Sequence, residues 1–138
     1  MKLLGVDYGS KRVGLATVDT ETAMAFPLRS IPSAQAGELA AAIAAAAAEE
    51  AADKIVVGLP RRLSGSGPAG DTERSVIALV EALRSRTSLP VDTEDERLTT
   101  ALVERERREA GLTKKQFDKD AVAAAALLES YVARRSRK

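Results

Sequence analysis

Asp7 lies inside Met1-Lys2-Leu3-Leu4-Gly5-Val6-Asp7-Tyr8-Gly9-Ser10, an apolar run that otherwise reads as a buried first strand. Side chains alternate faces along a strand, so Asp7 shares its face with Gly5 and Gly9, while Leu4, Val6 and Tyr8 point the other way. The glycines leave open space around the carboxylate. In apolar surroundings an ionised carboxylate costs roughly several kcal/mol unless a cation or hydrogen-bond donors compensate it. A metal ion approaching over the glycines would do so. The local alternative is that Asp7 caps the turn that follows, since Asp close before Gly is common turn chemistry. Further acids stand where elements meet: Asp95 and Glu96 at the end of a late strand, and Asp120 at the start of the last helix. Three carboxylates such as Asp7, Glu96 and Asp120 can hold two divalent ions roughly 3.5–4 Å apart, one activating a water and the other steadying the leaving oxygen of a phosphodiester. Each acid also has a structural use, because Asp95 and Glu96 would favour a following helix N-terminus and Asp118 or Asp120 would serve as N-caps.

Composition narrows the chemistry. The 138 residues include no Cys and no His, which removes disulfides, thiolate nucleophiles, cysteine zinc sites and the commonest general base. Any catalysis must run on carboxylates, Lys, Arg, hydroxyls and a borrowed metal, and oxygen-only ligands favour Mg²⁺ or Mn²⁺ over zinc or copper. Gly9 to Gly14 has the glycine separation of a P-loop, but Leu15-Ala16 stands where Lys and Ser/Thr are required, so nucleotide cradling by that motif is rejected. The net charge of +1 does not announce a nucleic-acid binder. Its distribution says more. Asp92, Glu94, Asp95 and Glu96 form an acidic centre, and Lys11-Arg12, Arg61-Arg62 and the terminal Arg134-Arg135-Ser136-Arg137-Lys138 are basic clusters. That pattern suits an enzyme gripping phosphates and holding cations between them, although the terminal run reads first as a solvated tail.

The elements that must position these residues follow from periodicity. Leu3 to Tyr8 and Val13 to Val18 read as an antiparallel hairpin joined by Gly9-Ser10-Lys11-Arg12. Ala23 to Ile31 is a third strand, placed at the sheet edge by Pro27. Ser33 is a plausible N-cap for a helix over Ala34 to Ala52, where Leu39 and Ile43 mark the buried stripe. Lys54 to Leu59 is a short apolar strand of the kind buried in a parallel sheet. The Gly-, Ser- and Pro-rich loop Pro60 to Gly70 precedes a helix from Asp71, its N-cap, to Arg86. A fifth strand begins at Pro90 to Thr93 and ends in Glu94-Asp95-Glu96. One helix is expected from Thr99 to Ala110, stopping at Gly111, and a final one from Asp118 to Asp120 onward. The order β-β-β-α-β-α-β-α-α predicts an α/β fold, a mixed five-stranded sheet flanked by helices. The length fits one domain over residues 1–138. No secretory leader and no run of bilayer-spanning length is read, so a cytoplasmic protein without a membrane partner is expected.

Four segments in register resemble the YqgF family, also called RuvX. They are Asp7-Tyr8-Gly9-Ser10-Lys11-Arg12-Val13-Gly14, Ile55-Val56-Val57-Gly58-Leu59-Pro60 with its glycine-rich loop, Asp95-Glu96-Arg97-Leu98-Thr99-Thr100, and Asp120-Ala121-Val122-Ala123-Ala124 leading to Leu128-Glu129-Ser130-Tyr131. The resemblance implies a ribonuclease H-like fold of the resolvase type and metal-dependent cleavage of nucleic-acid phosphodiesters. The family is described as a nuclease for the 5′ end of the 16S ribosomal RNA precursor, and alternatively as a Holliday junction resolvase acting in DNA recombination and repair. Carried over by position, its catalytic metal ligands are Asp7, Glu96 and Asp120, with Asp95 in reserve and Mg²⁺ or Mn²⁺ as the ion. Better-known resolvases of this fold have a fourth carboxylate three positions after the helix acid. Ala123 stands there, which puts tight binding of a second metal in question. Lys11, Arg12, Arg61 and Arg62 are expected to contact substrate phosphates, and a resolvase would be expected as a C2 homodimer because a four-way junction is approximately two-fold symmetric. Two rivals remain: a nucleic-acid-binding module with a weak site acting in ribosome assembly or transcription, and a sugar-kinase or actin-like fold. The latter needs two such domains around a cleft, for which the length is insufficient.

Overall fold

A computed structural model of the chain describes residues 1–9, 11–59, 71–95 and 118–136. The described elements are β1 (Lys2–Asp7), β2 (Arg12–Asp19), β3 (Ala25–Pro32), α1 (Ala36–Glu49), β4 (Lys54–Leu59), α2 (Asp71–Arg86), β5 (Val91–Asp95) and α3 (Lys119–Ser136). Their strands form a five-stranded sheet in the order β3-β2-β1-β4-β5. β1, β2 and β3 pair antiparallel, whereas β1–β4 and β4–β5 are parallel. This is the mixed sheet expected of a meander followed by βα units, with the Pro27 strand at an edge. The expected helix over 99–110 and the loop over 60–70 lie outside the described residues.

Several boundaries differ from expectation for local reasons. α1 starts at Ala36 behind Gln35, which makes no side-chain capping bond. Ser33, expected as the cap, instead donates its N–H to the Lys11 carbonyl at 3.0 Å and closes the end of the β2–β3 ladder. Ala23 lies outside β3 with φ at 58°, a left-handed bend before the strand. Asp71 is the first residue of α2 rather than its cap. β5, by contrast, runs into its acids as expected and ends at Asp95, with Asp92 and Glu94 opposite Val56 and Gly58 of β4.

Strand alternation divides the core between two faces. Leu4, Val6, Leu15, Ile55 and Val57 meet Leu39 and Ile43 of α1 and Val76, Leu79 and Leu83 of α2. Leu3, Ala16, Val18 and Val56 meet Ala124, Leu128, Tyr131 and Val132 of α3. Each fully buried Leu or Ile contributes about 1.5–3 kcal/mol, so the first face holds most of the cohesion. The second is built for closeness. A side chain at Gly5 would come within 2.6 Å of the Leu128 side chain, and one at Gly14 would run into the Asp120 carbonyl. Glycine at both positions lets α3 lie directly on β1 and β2.

Candidate active site

Asp7 ends β1 on the α3 face, the face of Leu3 and Gly5. Its partner across the antiparallel ladder is Gly14. Directly opposed residues in such a pair have their β-positions about 5 Å apart, and the volume above Gly14 is taken by the Asp120 backbone. Asp7 and Asp120, separated by most of the chain, therefore flank one glycine. The last helix brings the second acid to the C-terminal end of the first strand.

The start of α3 is fixed by Asp118. Its Oδ1 accepts the N–H groups of Asp120 at 2.9 Å and Ala121 at 3.3 Å, and Oδ2 accepts the N–H of Ser30 at 3.0 Å and the Ser30 hydroxyl. Of the two acids that sequence allows as caps, Asp118 takes that role, which leaves Asp120 for other work. The Ser30 hydroxyl above all, with the backbone N–H groups of Ala121, Asp120 and Ser30, outweighs partial burial and holds the Asp118 carboxyl below its ordinary value. Ser30 pairs with Gly14 across β2–β3, so cap, glycine and Asp7 fall on one line across the sheet.

Arg12, in the turn end of β2, places Nε 3.0 Å from Asp120 Oδ2. Its neighbour Lys11 is exposed at the same end of the sheet. Arg61, Arg62 and Glu96 lie outside the described residues, and Asp95 is described only as the last residue of β5, paired with Leu59. Ala123 is half-buried on α3. Among the described residues no three acids converge on a common point. Asp7 and Asp120 have the hard oxygen donors that Mg²⁺ and Mn²⁺ prefer and fit such an ion as two of its ligands, with the third to come from elsewhere.

Two polar clusters on the same face escaped sequence reasoning. Glu94, buried in β5, is held by the Ser130 hydroxyl at 3.1 Å and Arg134 Nε at 3.3 Å. Asp92 Oδ2 accepts the Tyr131 hydroxyl at 2.6 Å and an Arg135 nitrogen at 3.0 Å, while Lys54 Nζ donates to the same hydroxyl at 2.9 Å. The Arg135 guanidinium also sits 3.7 Å from the Tyr131 ring centre, a cation–π contact. Burial works to raise the Asp92 carboxyl, but the bonds from Tyr131 and the Thr93 N–H, with the Arg135 charge, outweigh it and hold the group below its ordinary value. Part of the basic tail expected to be solvated is thus tied down. The signal was present in paired periods: Asp92 and Glu94 are two apart on a strand, and Ser130/Arg134 and Tyr131/Arg135 are four apart on a helix.

A mixed sheet with an acid at the end of its first strand and another brought over it by the last helix has the form of the ribonuclease H-like fold. Thermus thermophilus RuvC superposes with a TM-score of 0.68 at 14% identity, covering 99% of this chain and 97% of that one. The same protein bound to its Holliday junction substrate gives 0.65 at 16% identity, over 99% and 96%. At these identities the likeness establishes the fold. Sequence establishes the family. The chain belongs to the RuvX family, described as Holliday junction resolvase, whose pattern matches residues 1–134. A relative from Nitratidesulfovibrio vulgaris, named as a candidate pre-16S rRNA nuclease, is 40% identical over 134 residues, covering 96% of this chain and 93% of its own length. The family is one of nucleases, hydrolases of phosphodiester bonds.

Proposed function

We propose that residues 1–138 act as a single metal-dependent endonuclease domain that cuts structured nucleic acid, with Asp7, Asp120 and Glu96 as ligands and Mg²⁺ or Mn²⁺ as the ion. The observation that carries this reading is the approach of Asp120 to Asp7 across Gly14, which no side chain larger than hydrogen would permit. When bound, a divalent ion would polarise the phosphate and lower the pKa of an attacking water. Asp7 and Asp120 bind and orient the ion. Asp118 keeps Asp120 in place by capping its helix. Lys11 and Arg12 stand at the same end of the sheet, where they can hold the phosphates on either side of the cut, joined in this reading by Arg61 and Arg62 from outside the described residues. Asp95 is the reserve ligand. Among the described residues no helix is long and apolar enough to cross a membrane, and cytoplasmic action on the cell's own nucleic acid is the corresponding proposal.

Relatives named for pre-16S rRNA and a family described for Holliday junctions support two substrates. Offering an end-labelled four-way DNA junction and a precursor rRNA fragment side by side in Mg²⁺ or Mn²⁺, with Asp7→Asn protein as blank, separates them. Paired symmetrical cuts in the junction identify a resolvase working as a homodimer. Cuts confined to the RNA identify a processing nuclease. Equal cutting by the Asp7→Asn blank, or none by either protein, overturns the catalytic reading in favour of a binding module.

A further inference from the structure

The ion pair between Arg12 and Asp120 is built with more care than its stabilising value explains. An exposed pair is worth about 0–1 kcal/mol, and the Arg12 side chain is 62% exposed. Yet the backbones of both partners are seated closely against glycines. A side chain at Gly9 would meet the Arg12 carbonyl, and one at Gly14 would meet the Asp120 carbonyl. Arg12 is further fixed opposite Pro32 in the β2–β3 ladder, and Asp120 by the Asp118 cap. The two partners are unequally sheltered, with Asp120 only 22% exposed. The carboxylate is held in the site, and the guanidinium can swing into solvent. The contact uses Nε, one of five N–H donors on a guanidinium, and that fork matches phosphate as well as carboxylate.

We propose that Arg12 exchanges partners: it neutralises Asp120 while that carboxylate has no cation, and turns to a substrate phosphate once Asp120 serves as a ligand. The inference rests on the reading of Asp120 as a metal ligand. A single side chain then links the two binding events, because Oδ2 cannot be given fully to Arg12 and to an ion at once. Cation and nucleic acid each favour the other's binding, a coupling that must be reciprocal. Without cation, Arg12 also screens Asp120 from the negatively charged backbone of a nucleic acid.

Mn²⁺ titrated by calorimetry into the wild-type chain, Arg12→Gln and Arg12→Lys tests the first half. Loss of the competing guanidinium should tighten Mn²⁺ binding by roughly two- to fivefold in Arg12→Gln, the range of an exposed ion pair. Arg12→Lys should fall between, because it keeps the charge but loses the fork. Equal affinities for wild type and Arg12→Gln overturn the exchange while leaving the metal site standing. Absence of Mn²⁺ binding in all three overturns the metal reading and the exchange with it. The second half is read from the salt dependence of four-way junction binding, with and without Ca²⁺, which shares the preference for oxygen ligands. The ion should steepen the wild-type slope by about one unit more than it steepens that of Arg12→Gln, the change expected when one further phosphate is neutralised. An identical change in both proteins overturns the proposal.

Discussion

The two faces of the sheet are built on opposite principles. Toward α1 and α2 the sheet presents Leu4, Val6, Leu15, Ile55 and Val57, and receives Leu39, Ile43, Leu79 and Leu83. Toward α3 it presents Gly5, Gly14, Ala16 and Gly58 among the acids Asp7, Asp92 and Glu94, and receives Ala124, Leu128, Tyr131 and Val132. The first face gains free energy from volume. The second trades volume for closeness, which lets a helix backbone touch a strand and bring Asp120 to Asp7. Polar contacts make up part of the difference along its outer half, through Ser130 and Arg134 on Glu94 and through Tyr131 and Arg135 on Asp92.

Substitutions that exchange these principles test the contrast. Gly14→Ala adds one carbon where the Asp120 backbone lies, so the start of α3 must shift. A displacement near 1 Å at a group that orients the reaction costs about a hundredfold in rate, and overpacking against backbone costs about 1–3 kcal/mol, so a cleavage assay beside a melting curve should show activity and stability falling together. On the opposite face Leu79→Ala should cost about 2–5 kcal/mol in a denaturant titration, with the remaining folded protein keeping its cleavage rate. If Leu79→Ala lost activity without stability, the division between the faces would be wrong. Tyr131→Phe removes the hydroxyl shared by Asp92 and Lys54 and should lower stability by about 0.5–1.5 kcal/mol, the net worth of a hydrogen bond, because Asp92 keeps Arg135 on the same oxygen.

The smallest effect concerns acid. Asp92 and Asp118 are both held below the ordinary 3.8, so the native state binds fewer protons than the unfolded state as pH falls through that region. Their contribution is complete above the ordinary value and is lost as pH drops from about 4 through the lower folded values. Melting temperature against pH should decline in that window, and Asp118→Asn should flatten part of the decline, since Asn caps a helix nearly as well but does not titrate.

Sequence carried the fold well where period and composition agree. The strands Lys2–Asp7 and Lys54–Leu59 and the stripe of α2 are written in apolar spacing, and the antiparallel-then-parallel order follows from the elements. It carried less at the ends of elements. Ser33 looks like a cap because hydroxyls favour that position, but its N–H extends the β2–β3 ladder to the Lys11 carbonyl and the helix begins only at Ala36, behind Gln35. Of the proposed ligands, Asp7 stands out in the sequence by its place in an apolar strand, and Asp120 by its place at a helix start. The division of labour between Asp118 and Asp120 was not, because it depends on Ser30, far away in sequence. Gly14 looked like half of a failed phosphate loop. Its use becomes visible only when α3 lies across it.

The most direct test of the account sets Asp120→Asn against Asp118→Asn in one cleavage assay, with melting curves to confirm that both fold. Loss of cutting in Asp120→Asn, with most of it kept in Asp118→Asn, is the predicted result, because one acid serves the chemistry and the other holds the helix. Wild-type cutting by Asp120→Asn would contradict the claim that the α3 face carries the catalytic centre.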